Sequence, residues 1–152
     1  MIIDSHAHIF SPLSGFGADG ELKPLDNGKA VWSNGEIIQL LPPTYEKTEF
    51  PISSLLSLMD SNNINKAVLL QGGFLGFDNY GVFEAVKAHR DRIAGAFTVD
   101  PFCRNVGKIL DNLLSKDIDA FKFEVSTGCG LMGIHHTFPL DGEMMYSLYK
   151  RL

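Results

Sequence analysis

Apolar positions along the chain switch repeatedly between two rhythms: short runs or alternations, and stripes spaced three and four residues apart. Residues 2–10, 66–71, 93–100 and 120–126 are rich in aliphatic and β-branched side chains and read as strands. The clearest helical stripe lies in residues 105–116, where Val106, Ile109, Leu110, Leu113 and Leu114 fall on one face. Met144, Met145, Leu148, Tyr149 and Leu152 repeat that spacing, Leu55, Leu56 and Met59 carry a shorter stripe after Pro51, and residues 79–90 hold Val82, Phe83 and Val86 on one side. Strand followed by helix, four times over, predicts a parallel sheet, because parallel strands need a long crossover to return to the same edge. Two α/β architectures accommodate four such units: a small four-stranded domain, or half of an eight-stranded (β/α) barrel, which takes about 250 residues in full. The expectation is the second, with residues 1–152 forming a single domain equivalent to the N-terminal half of a TIM barrel.

One connection breaks the rhythm. Residues 11–51 separate the first strand from the first helix, and a connection that long is usually functional or carries structure of its own. Within it, Lys29-Ala-Val-Trp32 and the run from Glu36 to Leu41 flank Ser33-Asn34-Gly35, and Asn-Gly between apolar runs is a strong hairpin signal. A β-hairpin insertion at the mouth of the sheet is therefore expected, ended by Pro42-Pro43.

Composition narrows the function classes. With 13 Lys and Arg against 18 Asp and Glu the formal charge is −5, and the basic residues are scattered, which argues against nucleic-acid binding. No apolar run approaches the ~20 residues needed to cross a bilayer, and Asp4 and His6 interrupt the place where a signal peptide would need its apolar core. A cytoplasmic protein with no membrane partner is expected. Two cysteines, Cys103 and Cys129, are too few for a disulfide framework and show no pattern of a thiol nucleophile. Exposed apolar edges of a half barrel would also favour association of several copies.

The candidate chemistry lies at strand ends. Strict alternation along the first strand puts Asp4, His6 and His8 on one face, and two imidazoles one pleat apart can share a metal ion. The alternative is that both histidines are hydrogen-bonded or solvent-facing. On the fourth strand Lys122, Glu124 and Ser126 alternate with Phe121, Phe123 and Val125, so Lys122 and Glu124 are expected to face the same interior. Glu124 could complete a ligand set or act as general base, with Lys122 beside it, or the two could form an internal ion pair. Gly72-Gly73 and Gly76 follow the second strand without the spacing of a nucleotide fingerprint, so they are read as a tight turn before a helix capped by Asp78 or Asn79. Arg104, after the third strand, could hold a substrate carboxylate by two hydrogen bonds or could be an ordinary surface arginine. Of the adjacent His135 and His136, one could touch substrate, and His89 reads as structural.

Taken together, the strand Ile3-Asp4-Ser5-His6-Ala7-His8, the passage from Met59-Asp60 to Ile64-Asn65-Lys66-Ala67-Val68, the Gly76-Phe77-Asp78-Asn79 loop and the passage from His89-Arg90-Asp91-Arg92 to Val99-Asp100-Pro101 resemble the amidohydrolase-related metal-dependent hydrolases. That resemblance implies a (β/α)₈ barrel, a divalent metal such as zinc or manganese with His6 and His8 as first-strand ligands, and a fourth-strand position filled by Lys122 or Glu124. It implies hydrolysis of a small, carboxylate-bearing molecule by metal-activated water. Decarboxylation within the same family, a metal-free lactonase-type hydrolase and a non-catalytic half-barrel module are the alternatives.

Overall fold

Apolar residues that cannot be covered by their own strand or helix must be covered by another layer, and this requirement organises the molecule. The computed structural model describes residues 1–124, 134–135 and 138–152, so Ser126, Cys129 and His136 lie outside the described residues. The chain opens with β1 (Ile3–Ala7) and passes through four short strands, β2 (Gly15–Gly17), β3 (Gly20–Pro24), β4 (Lys29–Trp32) and β5 (Ile37–Gln39). It then alternates α1 (Ile52–Ser61), β6 (Lys66–Leu70), α2 (Asn79–Ala88), β7 (Ile93–Thr98), α3 (Val106–Leu114), β8 (Ala120–Lys122) and α4 (Glu143–Tyr149).

The four strands expected from the sequence form one parallel sheet in the order β1-β6-β7-β8. Its helix-covered face is dry: Leu69, Ile93 and Phe97 are fully buried, packed with Leu55 and Met59 of α1, Val82 and Val86 of α2, and Leu110 and Leu113 of α3. A Cβ on Gly95 would lie 2.8 Å from the Val82 and Val86 methyls, so glycine there lets α2 rest on the backbone of β7. Asn79 fixes the start of that helix, since its side chain donates to the Thr98 carbonyl and accepts from the Thr98 N–H, both at 2.8 Å. The Asp78 carboxylate caps the helix by accepting from the Gly81 N–H at 2.8 Å, as its position in the sequence suggested. At the opposite end of the sheet Arg92 donates to Asp60, to the Ile64 carbonyl and to the Asn65 carbonyl, tying the α1–β6 turn to the entry of β7.

The insertion is larger than a hairpin. The expected pair, β4 and β5, is present, but β2 and β3 extend it to a four-stranded antiparallel meander in the order β2-β3-β4-β5. Glycines at 15, 17 and 20 and a proline at 24 give β2 and β3 little intrinsic strand preference, and their pairing is enforced from outside. Leu22 is buried with Phe10, Leu13, Ala30, Trp32 and Leu75 in a second apolar cluster, separate from the helix-covered core. Phe50 packs against both clusters, and it exchanges two backbone hydrogen bonds with Phe10, at 3.0 and 2.8 Å. The meander is thereby clamped where it leaves the sheet and where it returns. Among the described residues no helix is long and apolar enough to cross a membrane.

Replacing Leu69 by Ala leaves a cavity in the covered face and is expected to destabilise the chain by about 2 to 5 kcal/mol in denaturant unfolding. The exposed Ile37 of β5 buries little, and Ile37→Ala is expected to change stability by no more than about 0.5 kcal/mol in the same assay.

Candidate active site at the strand ends

His6 and His8 flank the buried Ala7, whose register partner Leu69 belongs to the helix-covered core, so both imidazoles emerge on the other side of the sheet. Their ring centroids are 4.9 Å apart, edge to face. Asp4, expected on the same face, is placed differently. The register runs Asp4 opposite Ala67 and Ala7 opposite Leu69, three steps of β1 against two of β6. Directly paired residues in a parallel ladder share a face, so this bulge puts Asp4 on the Ala67 side. There its carboxylate accepts the His6 backbone N–H at 3.0 Å.

The two histidines differ in surroundings. His6 is exposed and His8 half-buried. Burial, with the Lys122 ammonium and His6 adding to it, pushes the His8 pKa below the ordinary imidazole value, against smaller opposing effects of the Leu70 carbonyl and Asp4. His8 thus favours its neutral form, the form that ligates metals. Its Nδ1 is buried without a hydrogen-bond partner, an arrangement that costs free energy and is uncommon unless a ligand answers it.

Lys122 pairs with Thr98 across the ladder, while Phe121 pairs with Phe97 of the core, so the ammonium points away from the helices. It donates to Glu124 Oε1 at 3.2 Å. The other carboxylate oxygen, Oε2, accepts the backbone N–H of Gly73 at 2.7 Å. Both oxygens of Glu124 are therefore engaged. The close approach needs glycine at 72, because a Cβ there would stand 2.0 Å from Oε2. The Gly72-Gly73 step, read in the sequence only as a turn, is the seat of the carboxylate. Gln71, at the end of β6, donates to the Gly76 carbonyl at 2.5 Å and holds the loop shut.

These groups share one cavity of about 610 Å³, lined by His6, His8, Lys122 and Glu124 and walled by Phe10, Leu40, Leu41, Pro42, Tyr45, Phe50, Phe74 and Leu75. Most of that wall comes from the insertion and its return, which places the meander beside the strand ends. Arg104 and His135 are elsewhere. Arg104 is exposed on the loop after β7 and has no hydrogen bond or ion pair among the described residues. His135 sets its Nε2 2.9 Å from both carboxylate oxygens of Asp100 and lies against Phe102, with ring centroids 4.4 Å apart. Neither residue lines the cavity.

As a metal site the two imidazoles make a partial set: neutral His8 with an unanswered nitrogen, and His6 beside it, match two of the four positions that zinc takes. Among the described residues no group of three or more His, Cys, Asp or Glu is gathered closely enough to hold an ion. Glu124, held by Gly73 and Lys122, does not supply the third.

No family model matches the chain, and no curated protein matches it. Solved structures do. A probable 2-pyrone-4,6-dicarboxylic acid hydrolase from Acinetobacter baumannii, crystallised with citric acid, superposes with a TM-score of 0.54 at 19% identity, over 99% of this chain and 45% of its own. A protein from Agrobacterium tumefaciens, solved without ligand, gives a TM-score of 0.45 at 17% identity, over 86% of this chain and 39% of its own. The chain spans less than half the length of either. The first likeness is one of fold alone: a parallel α/β sheet with its crossover helices.

The seat of Glu124 is open to a double-mutant cycle. Gly72→Ala is expected to cost about 1 to 3 kcal/mol by displacing a charged hydrogen bond, and most of that cost should vanish when Glu124 is already Ala. Additive losses in thermal or denaturant unfolding would show that residue 72 acts independently of the carboxylate.

Proposed function

We propose that this chain contributes the metal-binding and carboxylate-recognising part of a hydrolase acting on a small, carboxylate-bearing molecule. What chiefly supports the reading is the pairing of His6 with a neutral, partly desolvated His8 whose Nδ1 has no partner, in a cavity that also holds Lys122 and Glu124. The fold likeness to a probable dicarboxylic acid hydrolase with citric acid bound supports it further.

In this reading His6 and His8 hold a divalent ion, zinc or manganese, and that ion supplies a water acidified towards a pKa of about 7. The chain's own groups do the rest. Lys122 spends one donor on Glu124 and keeps others for an incoming carboxylate, a charge-assisted contact that orients the substrate. Glu124, fixed at both oxygens, keeps the ammonium in place and offers a carboxylate that can accept a proton without moving. The apolar wall from Leu40 to Phe50 limits water around the pair and strengthens these charge interactions.

Two measurements test it. Elemental analysis after expression with added zinc is expected to find metal in the wild-type chain and little in His6→Ala or His8→Ala, with folding retained. Equal metal in all three, or none in the wild type, defeats the ligand assignment. In titration calorimetry with citrate, Lys122→Met is expected to weaken binding at least tenfold, about 1.4 kcal/mol. Unchanged affinity would remove Lys122 from carboxylate recognition.

A further inference from the structure

The cavity at the strand ends has two kinds of lining. The Lys122 ammonium and the Glu124 carboxylate are held together at the Gly72-Gly73 step, and from Phe74, the next residue, the surface turns apolar. Leu40, Leu41, Phe50 and Phe74 are half-buried, each packed on one side against the second apolar cluster and reaching the cavity with the rest of its surface. Tyr45 joins them, its ring tilted 56° to that of Phe50 at 6.1 Å between centroids, so the two make an angled wall and not a flat slot for a stacked ring. This wall is fixed in advance. The Leu40 and Leu41 N–H groups both donate to the Gly28 carbonyl at 2.9 Å, and the Gln39 amide donates to the Leu41 and Asn27 carbonyls at 2.6 and 2.8 Å. A Cβ on Gly28 would stand 2.4 Å from the Leu41 carbonyl oxygen, so the segment lies directly on the turn that carries it. Half-buried apolar side chains in a preformed concavity gain from being covered by apolar surface, at little cost in ordering. A ligand charged along its whole length would lose water against them without finding a partner.

We propose that the ligand of this cavity is an amphipathic carboxylate: its charged group meets Lys122 and an aliphatic chain lies along the wall, with Leu41 and Tyr45 setting the preference for the chain. The head group rests on the carboxylate reading above, whereas the seat for the chain stands on the wall itself. Lys122 has donors to spare beyond the one bonded to Glu124, so a carboxylate can be met without breaking that pair. The cavity, about 610 Å³, is of the size that encloses small molecules, and a ligand with one charged and one apolar end matches both of its linings at once. Leu41 and Tyr45 belong to the return of the insertion, so the chain is read by residues outside the sheet that carries the imidazoles and the ammonium.

The single tryptophan, Trp32, has its ring 5.9 Å from that of Phe74, so its emission reports on what lies against the wall. Titration of the purified chain with butanoate, hexanoate and octanoate, followed by Trp32 emission and by calorimetry, is expected to show binding that tightens about two- to fourfold with each methylene. Octanedioate, of the same length but charged at both ends, is expected to bind at least tenfold more weakly than octanoate. In Leu41→Asn, and in Tyr45→Ser should the first variant fail to fold, the dependence on chain length should flatten, while Lys122→Met should weaken every monocarboxylate by the same factor and keep the dependence. Equal affinity for butanoate and octanoate, octanedioate bound as tightly as octanoate, no binding of any of them, or a dependence undiminished in the folded wall variants overturns the proposal. If octanol binds as tightly as octanoate and Lys122→Met changes neither, the carboxylate reading is overturned and the apolar seat stands; if Lys122→Met weakens butanoate without any dependence on chain length, the seat is overturned and the carboxylate reading stands.

Discussion

Everything in this molecule hangs on one dry contact, the face of the parallel sheet that Leu69, Ile93 and Phe97 press against α1, α2 and α3. Burying apolar area is the main favourable term in folding, and here it is gathered on a single side. Because that side is committed to the helices, alternation sends His6, His8, Lys122 and Thr98 to the other. Polar side chains are thus collected on the uncovered face by the same packing that holds the strands together. For the two imidazoles and the ammonium, parity at the strand ends is enough, while Glu124 needs in addition the Gly72-Gly73 seat.

Parity is also why much of the fold was readable in advance. The four main strands and four helices follow from apolar spacing, and the hairpin of β4 and β5 follows from Ser33-Asn34-Gly35 between apolar arms. What escaped was decided by distant contacts. β2 and β3 consist largely of residues that disfavour strands, and they pair because Leu22 is drawn into a cluster with Trp32 and Leu75. Asp4 left the histidine face through a bulge that no alternation rule foresees. For β2 and β3 tertiary packing overrode a local preference.

The site shows the same division. Which residues face the cavity was readable for His6, His8, Lys122 and Glu124, since only strand position was needed. Their surroundings were not. The acceptance of the Gly73 N–H by Glu124 joins residues 51 positions apart and depends on the missing side chain at 72. Likewise the association of His135 with Asp100 spans 35 positions and puts that imidazole at the end of β7, outside the cavity. A hydrogen bond between distant backbone and side chain leaves no periodic trace in a sequence.

The clamp between Phe10 and Phe50 has a consequence for how such a protein can change over evolutionary time. Residues 11–49 form a closed loop whose ends are already joined by two backbone hydrogen bonds and by Phe50 wedged between the two apolar clusters. Closing a flexible loop of twice the length costs only about 0.6 kcal/mol more, so insertions and deletions beyond the clamp are cheap for the sheet beneath. The wall of the cavity can therefore be rebuilt by changes in loop length and composition while the strand ends that carry the imidazoles stay as they are. The cavity wall and the imidazoles are carried by separately variable stretches of one chain.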